Sequence, residues 1–155
     1  MHPHLKFALA LLTVLAAFLS GCATGATPHA SLAGITRVYV ADTVGGATPE
    51  TSNASNAVHD ASISELRHLG YVVVLNAAEA DAVLKSSWRI KKSEDNRQDV
   101  QVASLSLSLF TKNNQRLFDA DSGPSVPSGF WSESRAISEV NGMLNHLSRA
   151  VTSQK

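Results

Sequence analysis

Ser64-Glu-Leu-Arg-His-Leu-Gly-Tyr-Val-Val-Val-Leu75 changes its hydrophobic rhythm at Gly70. Before the glycine, Ala54, Ala57, Val58, Ala61, Leu66 and Leu69 recur at helical spacing, which predicts a helix over roughly 53–69. Ser52 or Ser55 can cap its start, and Gly70 suits the left-handed position just past its end. After the glycine, Tyr71 to Leu75 is an unbroken apolar run, the pattern of a strand buried on both faces. Upstream, Ile35-Thr-Arg-Val-Tyr-Val-Ala41 is β-branched and apolar, as a first strand would be. Strand, helix and strand in this order predict a right-handed crossover between parallel strands.

Further along the chain the pattern becomes antiparallel. Ala82, Leu84, Trp88 and Ile90 alternate with Lys85, Ser87, Arg89 and Lys91, a half-buried strand with Trp88 in the core. Lys92 to Asp99 is densely charged and reads as a solvated loop. Leu105, Leu107 and Leu109 then alternate with serines at 104, 106 and 108. Val100 and Val102 fall on the opposite phase, which suggests a bulge near Ala103. Lys112-Asn-Asn-Gln115 reads as a hairpin turn, and 116–120 as the returning strand. A Gly/Pro/Ser loop leads to a last helix over roughly 132–151, where Ile137, Val140, Leu144, Leu147 and Val151 form one seam. That seam can pack on the sheet or, less simply, pair as a coiled coil. The expected fold is α/β: a two-layer α+β sandwich, order β-α-β-β-β-β-α, with a mixed sheet and both helices on one face.

The amino-terminal segment carries a different message. Lys6 precedes the apolar run 7–18. As a helix this run spans about 18 Å, short of the roughly 30 Å hydrocarbon core, and so suits an export signal rather than a membrane span. Leu19-Ser20-Gly21-Cys22 follows and resembles the lipobox of bacterial lipoproteins. The resemblance implies recognition of Leu19, Ser20 and Gly21 by a signal peptidase. It also implies diacylglycerol on the Cys22 thiol and a further acyl chain, of the palmitate kind, on its amine. Each buried methylene contributes about 0.8 kcal/mol, so several chains make anchoring permanent. Ala23, in place of an aspartate, points by the same analogy to the periplasmic face of the outer membrane. The expected division is 1–21 signal peptide, 22–34 lipidated cysteine and flexible tether, and 35–155 a single periplasmic domain.

Composition narrows the function. Thirteen basic and thirteen acidic residues leave no field to attract nucleic acid. Cys22 is the only cysteine, so the folded domain has no thiol for a disulfide, a metal or a nucleophile. Gly45-Gly46 lacks the spacing of a phosphate loop and reads as a turn. His59 and His68 lie too far apart on one helix to share a metal, and no serine sits in a nucleophile elbow. Glu79 and Asp81 could be paired carboxylates, or simply the solvated turn before a strand. The sequence therefore predicts no enzyme, no cofactor and no metal. Gly123 to Trp131 is a stiffened loop ending in Phe130 and Trp131. Those two rings are either an anchor for a partner or a staple on the last helix.

The order of elements is similar to that of small envelope lipoproteins. The carrying segments are Ser64 to Val74, then Ala80-Asp-Ala-Val-Leu84, then Leu105 to Leu109 with its turn and Leu117-Phe118. These resemble the periplasmic domain of the curli-secretion lipoprotein and the activator lipoproteins of penicillin-binding proteins, and more loosely a domain of the Tol translocation system. The resemblance implies a non-catalytic binding or scaffold module in envelope assembly, secretion or cell-wall regulation, acting on an envelope protein or on copies of itself. The alternative is an accessory lipoprotein that carries a small ligand or lipid, with a closed apolar cavity between sheet and helices. No hairpin long enough to line a pore is evident in the sequence.

Overall fold

The computed structural model describes residues 27–28, 32–46, 48–95 and 98–152. Among these residues, seven strands and two α-helices follow in the order β1 (Thr27–Pro28), β2 (Arg37–Val40), α1 (Pro49–His68), β3 (Val72–Val74), β4 (Ala82–Asp95), β5 (Gln98–Thr111), β6 (Arg116–Asp121), β7 (Val126–Pro127) and α2 (Glu133–Thr152). One sheet has the order β1-β6-β5-β4-β2-β3, with β7 beside the start of β5. β2 is parallel to β3 and β4, and the remaining pairs are antiparallel. The expected mixed α/β sheet with two helices is therefore present, with β1 and β7 as additions.

Register explains which face is buried. Leu84 lies opposite Leu109, Ser86 opposite Leu107, Trp88 opposite Leu105, and Ile90 opposite Ala103. Leu109 in turn faces Phe118, and Val40 faces Leu84. Because side chains alternate along a strand, these residues share one face. They form a single core with Ala54, Val58 and Leu66 of α1 and Ala136, Val140, Leu144 and Leu147 of α2. The opposite face carries Lys85, Arg89, Ser104, Ser106 and Ser108. There the Ser106 and Ser108 hydroxyls donate to the Asp121 and Asp119 carboxylates, and Arg89 pairs with Asp121 at 3.2 Å.

Four expectations need correction. The apolar run at 71–75 is not a central strand: β3 is the sheet's edge, with Val72 58% exposed and Leu75 93% exposed. An unbroken run records that neighbours are needed, not on which side they lie. The charged stretch 92–99 is not a loop. β4 continues to Asp95 and pairs residue for residue with β5 from Gln98. A two-stranded ribbon satisfies its backbone without burying a face, so charged side chains do not forbid it. The β4–β5 register runs unbroken through Ala103, and the irregularity lies between Leu109 and Phe110, where β5 meets β6. Val100 and Val102 simply belong to the outer face, and β7 pairs at Val102 and Ala103. Finally, α1 starts earlier than its apolar spacing suggests. Thr48 caps it, accepting from the Thr51 amide, and Pro49 stands in the first turn, where a missing N–H costs nothing.

The stretch expected to be a tether also contributes to the domain. Thr27 and Pro28 pair with Asp119 and Phe118 of β6, and Leu32 is 5% exposed within the core.

Candidate functional site

Phe130 and Trp131, the two rings singled out from the sequence, have opposite fates. Trp131 is 4% exposed. Its indole N–H donates to the Ala103 carbonyl at 3.1 Å, and its ring meets Trp88 edge-on with centroids 4.6 Å apart. Trp88 donates in turn to the Ser55 hydroxyl at 3.0 Å. The pair thus ties β5, β4 and α1 together, and Trp131 is not available to a partner. Phe130 points outward, 66% exposed. Of the two alternatives, Trp131 takes the buried role and only Phe130 is left in water.

Glu79 and Asp81 serve the sheet rather than a reaction. The Asp81 carboxylate accepts from the Thr36 amide (3.1 Å), the Thr36 hydroxyl (3.1 Å) and the Arg37 amide (2.8 Å). The Arg37 amide above all, then the Thr36 amide and hydroxyl, hold its pKa below the ordinary aspartate value. Glu79 pairs with Arg37 at 3.1 Å. Together the two carboxylates pin the start of β2. Among the described residues no group of three or more His, Cys, Asp or Glu could hold a metal ion, and no helix is long and apolar enough to cross a membrane. Leu19, Ser20, Gly21 and Cys22 lie outside the described residues.

Two surfaces stand out instead, neither marked by a motif. The first is the β3 edge. The Val72 amide donates to the Thr36 carbonyl at 2.9 Å, so the alternation of a strand turns the N–H and C=O of Val73 away from β2, toward the open side. Beside this edge lies a crevice of about 200 Å3 lined by Tyr39, His59, Ile63, Arg67, Val73 and Leu75. At three residues the strand is short, itself a restraint on pairing, but no lysine, proline or bulge guards it. The second surface is the end of the β4–β5 hairpin, where Lys91, Lys92 and Gln101 are exposed beyond the point at which the core stops. A separate depression, about 470 Å3 between α1 and α2, opens to solvent over Ala57, Ala61 and Ile137 and is edged by Asp60 and Glu133. It lies outside the core rather than between sheet and helices, where a carried ligand was expected. That interior is filled by Leu84, Leu107, Leu109, Phe118 and Leu144, all fully buried.

No protein-family model matches the chain, and no curated protein matches its sequence. Among solved structures, the chain is similar to PelC from Paraburkholderia phytofirmans, a dodecamer. Two crystal structures of it, one of a point variant, each give a TM-score of 0.54 at 22% and 21% identity, covering 80% of this chain and 95% of that one. A PDZ domain protein from Parabacteroides distasonis gives a TM-score of 0.53 at 8% identity, over 79% of this chain and 34% of its own length. Among the looser matches is a lipoprotein from Neisseria meningitidis, with a TM-score of 0.44 at 16% identity, over 74% of this chain and 99% of its own. The first two likenesses establish a shared fold, and the third is too loose to argue from.

The sequence held a signal for the β3 edge in the density of valine, but not for its exposure. The hairpin was hidden because charge outweighed pairing in its reading.

Proposed function

We propose that this chain is a lipid-anchored, non-catalytic module of the bacterial envelope, held to the membrane through Cys22, that works by binding further copies of itself through the β3 edge. The observation that carries this reading is that edge: a valine strand with unguarded backbone groups and two large apolar side chains in water. Strand addition would satisfy the backbone of Val73 and cover Val72 and Leu75 in one step. The PelC structures of similar fold are dodecamers, which favours self-association over a foreign partner. The lipobox supports the anchor, and Ala23 favours the outer membrane. Envelope assembly, secretion or cell-wall regulation is the setting that suits a tethered module with no catalytic constellation.

The test uses the full chain in its own membranes. Crosslinking in intact cells should trap oligomers of the wild type. The double substitution Val72→Lys, Leu75→Lys should abolish them while the thermal transition stays in place, because both side chains already face water. An unchanged crosslink ladder would overturn the edge as the contact, and a wild type that never crosslinks to itself would overturn self-association.

A further inference from the structure

The register of β1 decides how the domain meets the lipid, granted the anchor on Cys22 proposed above. Thr27 lies opposite Asp119 and Pro28 opposite Phe118, so the chain runs antiparallel to β6. At Thr27 the strand therefore enters from the Ala120 and Asp121 end of β6. That is the end of the sheet where the β4–β5 hairpin projects, where β7 lies beside Val102 and Ala103, and where Phe130 is exposed.

Lengths then limit the orientation. Cys22 to Thr27 is five residue steps, which reach at most about 17 Å when fully extended. Thr27 is level with Ser108 and Lys85 across the sheet. From Lys85 to Asp95 the strand advances about 34 Å. An upright domain with the hairpin toward the bilayer would therefore drive the hairpin end about 17 Å into hydrocarbon. Residues 91–99 contain Lys91, Lys92, Glu94, Asp95, Arg97 and Asp99, and charged groups are costly there. Near neutrality also means that no strong charge attraction is needed or available.

We infer that the β4–β5 hairpin lies along the membrane surface, with Phe130 in the headgroup layer beside the acylated Cys22 and the strands inclined close to the bilayer plane. Five residue steps from Thr27 reach no further than the level of Ile90 and Ala103, the level at which Trp131 docks and Phe130 emerges. An aromatic ring suits the interface between headgroups and hydrocarbon. Of Lys91 and Lys92, which point to opposite faces of the ribbon, the one facing the bilayer can lay its aliphatic stem on that layer and keep its ammonium group in water. The turn at 112–115 lies at the other end of β5 and faces the aqueous side.

The experiment takes full-length, acylated protein in vesicles of phosphatidylethanolamine and phosphatidylglycerol that contain a lipid with a headgroup nitroxide. Lys92→Cys, Phe130→Cys and Asn113→Cys, all at exposed positions, are each labelled with a fluorophore. Cys22 is blocked by its lipid. Quenching should be several-fold stronger at 92 and 130 than at 113, and should change little with added salt. Equal quenching at all three, or the strongest quenching at 113, overturns the orientation while leaving the anchor intact. A mature protein whose intact mass lacks the acyl chains overturns the anchor itself, and this orientation with it.

Discussion

Trp131 and Phe130 are neighbours in sequence with different energetic roles. Trp131 fills the junction of sheet and helices and has its indole N–H paired, so truncation would leave a cavity and remove one hydrogen bond to the Ala103 carbonyl. Trp131→Ala is expected to cost about 3–5 kcal/mol, and Phe130→Ala less than about 0.5 kcal/mol. Denaturant unfolding of both variants checks the contrast, and similar losses would refute it. Gly45 is a second sensitive residue. Its φ is +88°, and an added Cβ would lie 3.0 Å from the Trp88 carbonyl oxygen. Gly45→Ala should therefore destabilise by about 1–3 kcal/mol, a loss readable in the same unfolding experiment.

Asp81 sets a pH dependence at this scale. Its folded pKa lies below the ordinary value of 3.8, chiefly because the Arg37 amide donates to the charged form. A depressed carboxylate contributes stability above its unfolded pKa and loses it as pH falls through the folded value. Asp81→Asn should lower Tm near neutral pH and flatten the fall of Tm below pH 3.8. Parallel Tm–pH curves for the two proteins would show that the Asp81 clamp contributes nothing.

Among the elements, the β4–β5 hairpin separates pairing from burial. Near the core its inner face carries Leu84, Trp88, Leu105 and Leu109. Beyond Ile90 and Ala103 it is held by backbone pairing, with Lys91, Lys92, Ser93 and Gln101 exposed. Amide exchange should therefore be fast at 91–95 and 98–102 and slow at 82–88 and 103–109. Uniform protection along both strands would mean that the ribbon has a partner along its whole length. The inner section was legible from alternation. The outer section was not, because periodicity reports contact with a core and none exists there. α1 and α2 were legible for the converse reason: each lays a stripe of buried residues on the sheet. Even so, Ile137, counted in the seam of α2, is 43% exposed, since it faces the open depression between α1 and α2 rather than the sheet.

Over the described residues the molecule is a sheet with one face closed by helices and with its β3 edge open. If Cys22 is acylated, Cys22→Ser should move the protein from the membrane to the soluble periplasmic fraction, as cell fractionation and fatty-acid labelling would reveal. Continued sedimentation with membranes would show that another surface holds it there.

The amino-acid order alone determined the mixed α/β class, the two helices and the apolar face of each central strand, because burial imposes local periods of two and 3.6. Cys22 with the residues before it is likewise read from the order alone. Only the tertiary structure decided that Val72 to Val74 would be an edge, that Trp131 would be buried while Phe130 stayed in water, and that residues 27–28 would join β6. Each of these depends on which distant segment lies alongside, and a local pattern records the need for a neighbour without specifying it.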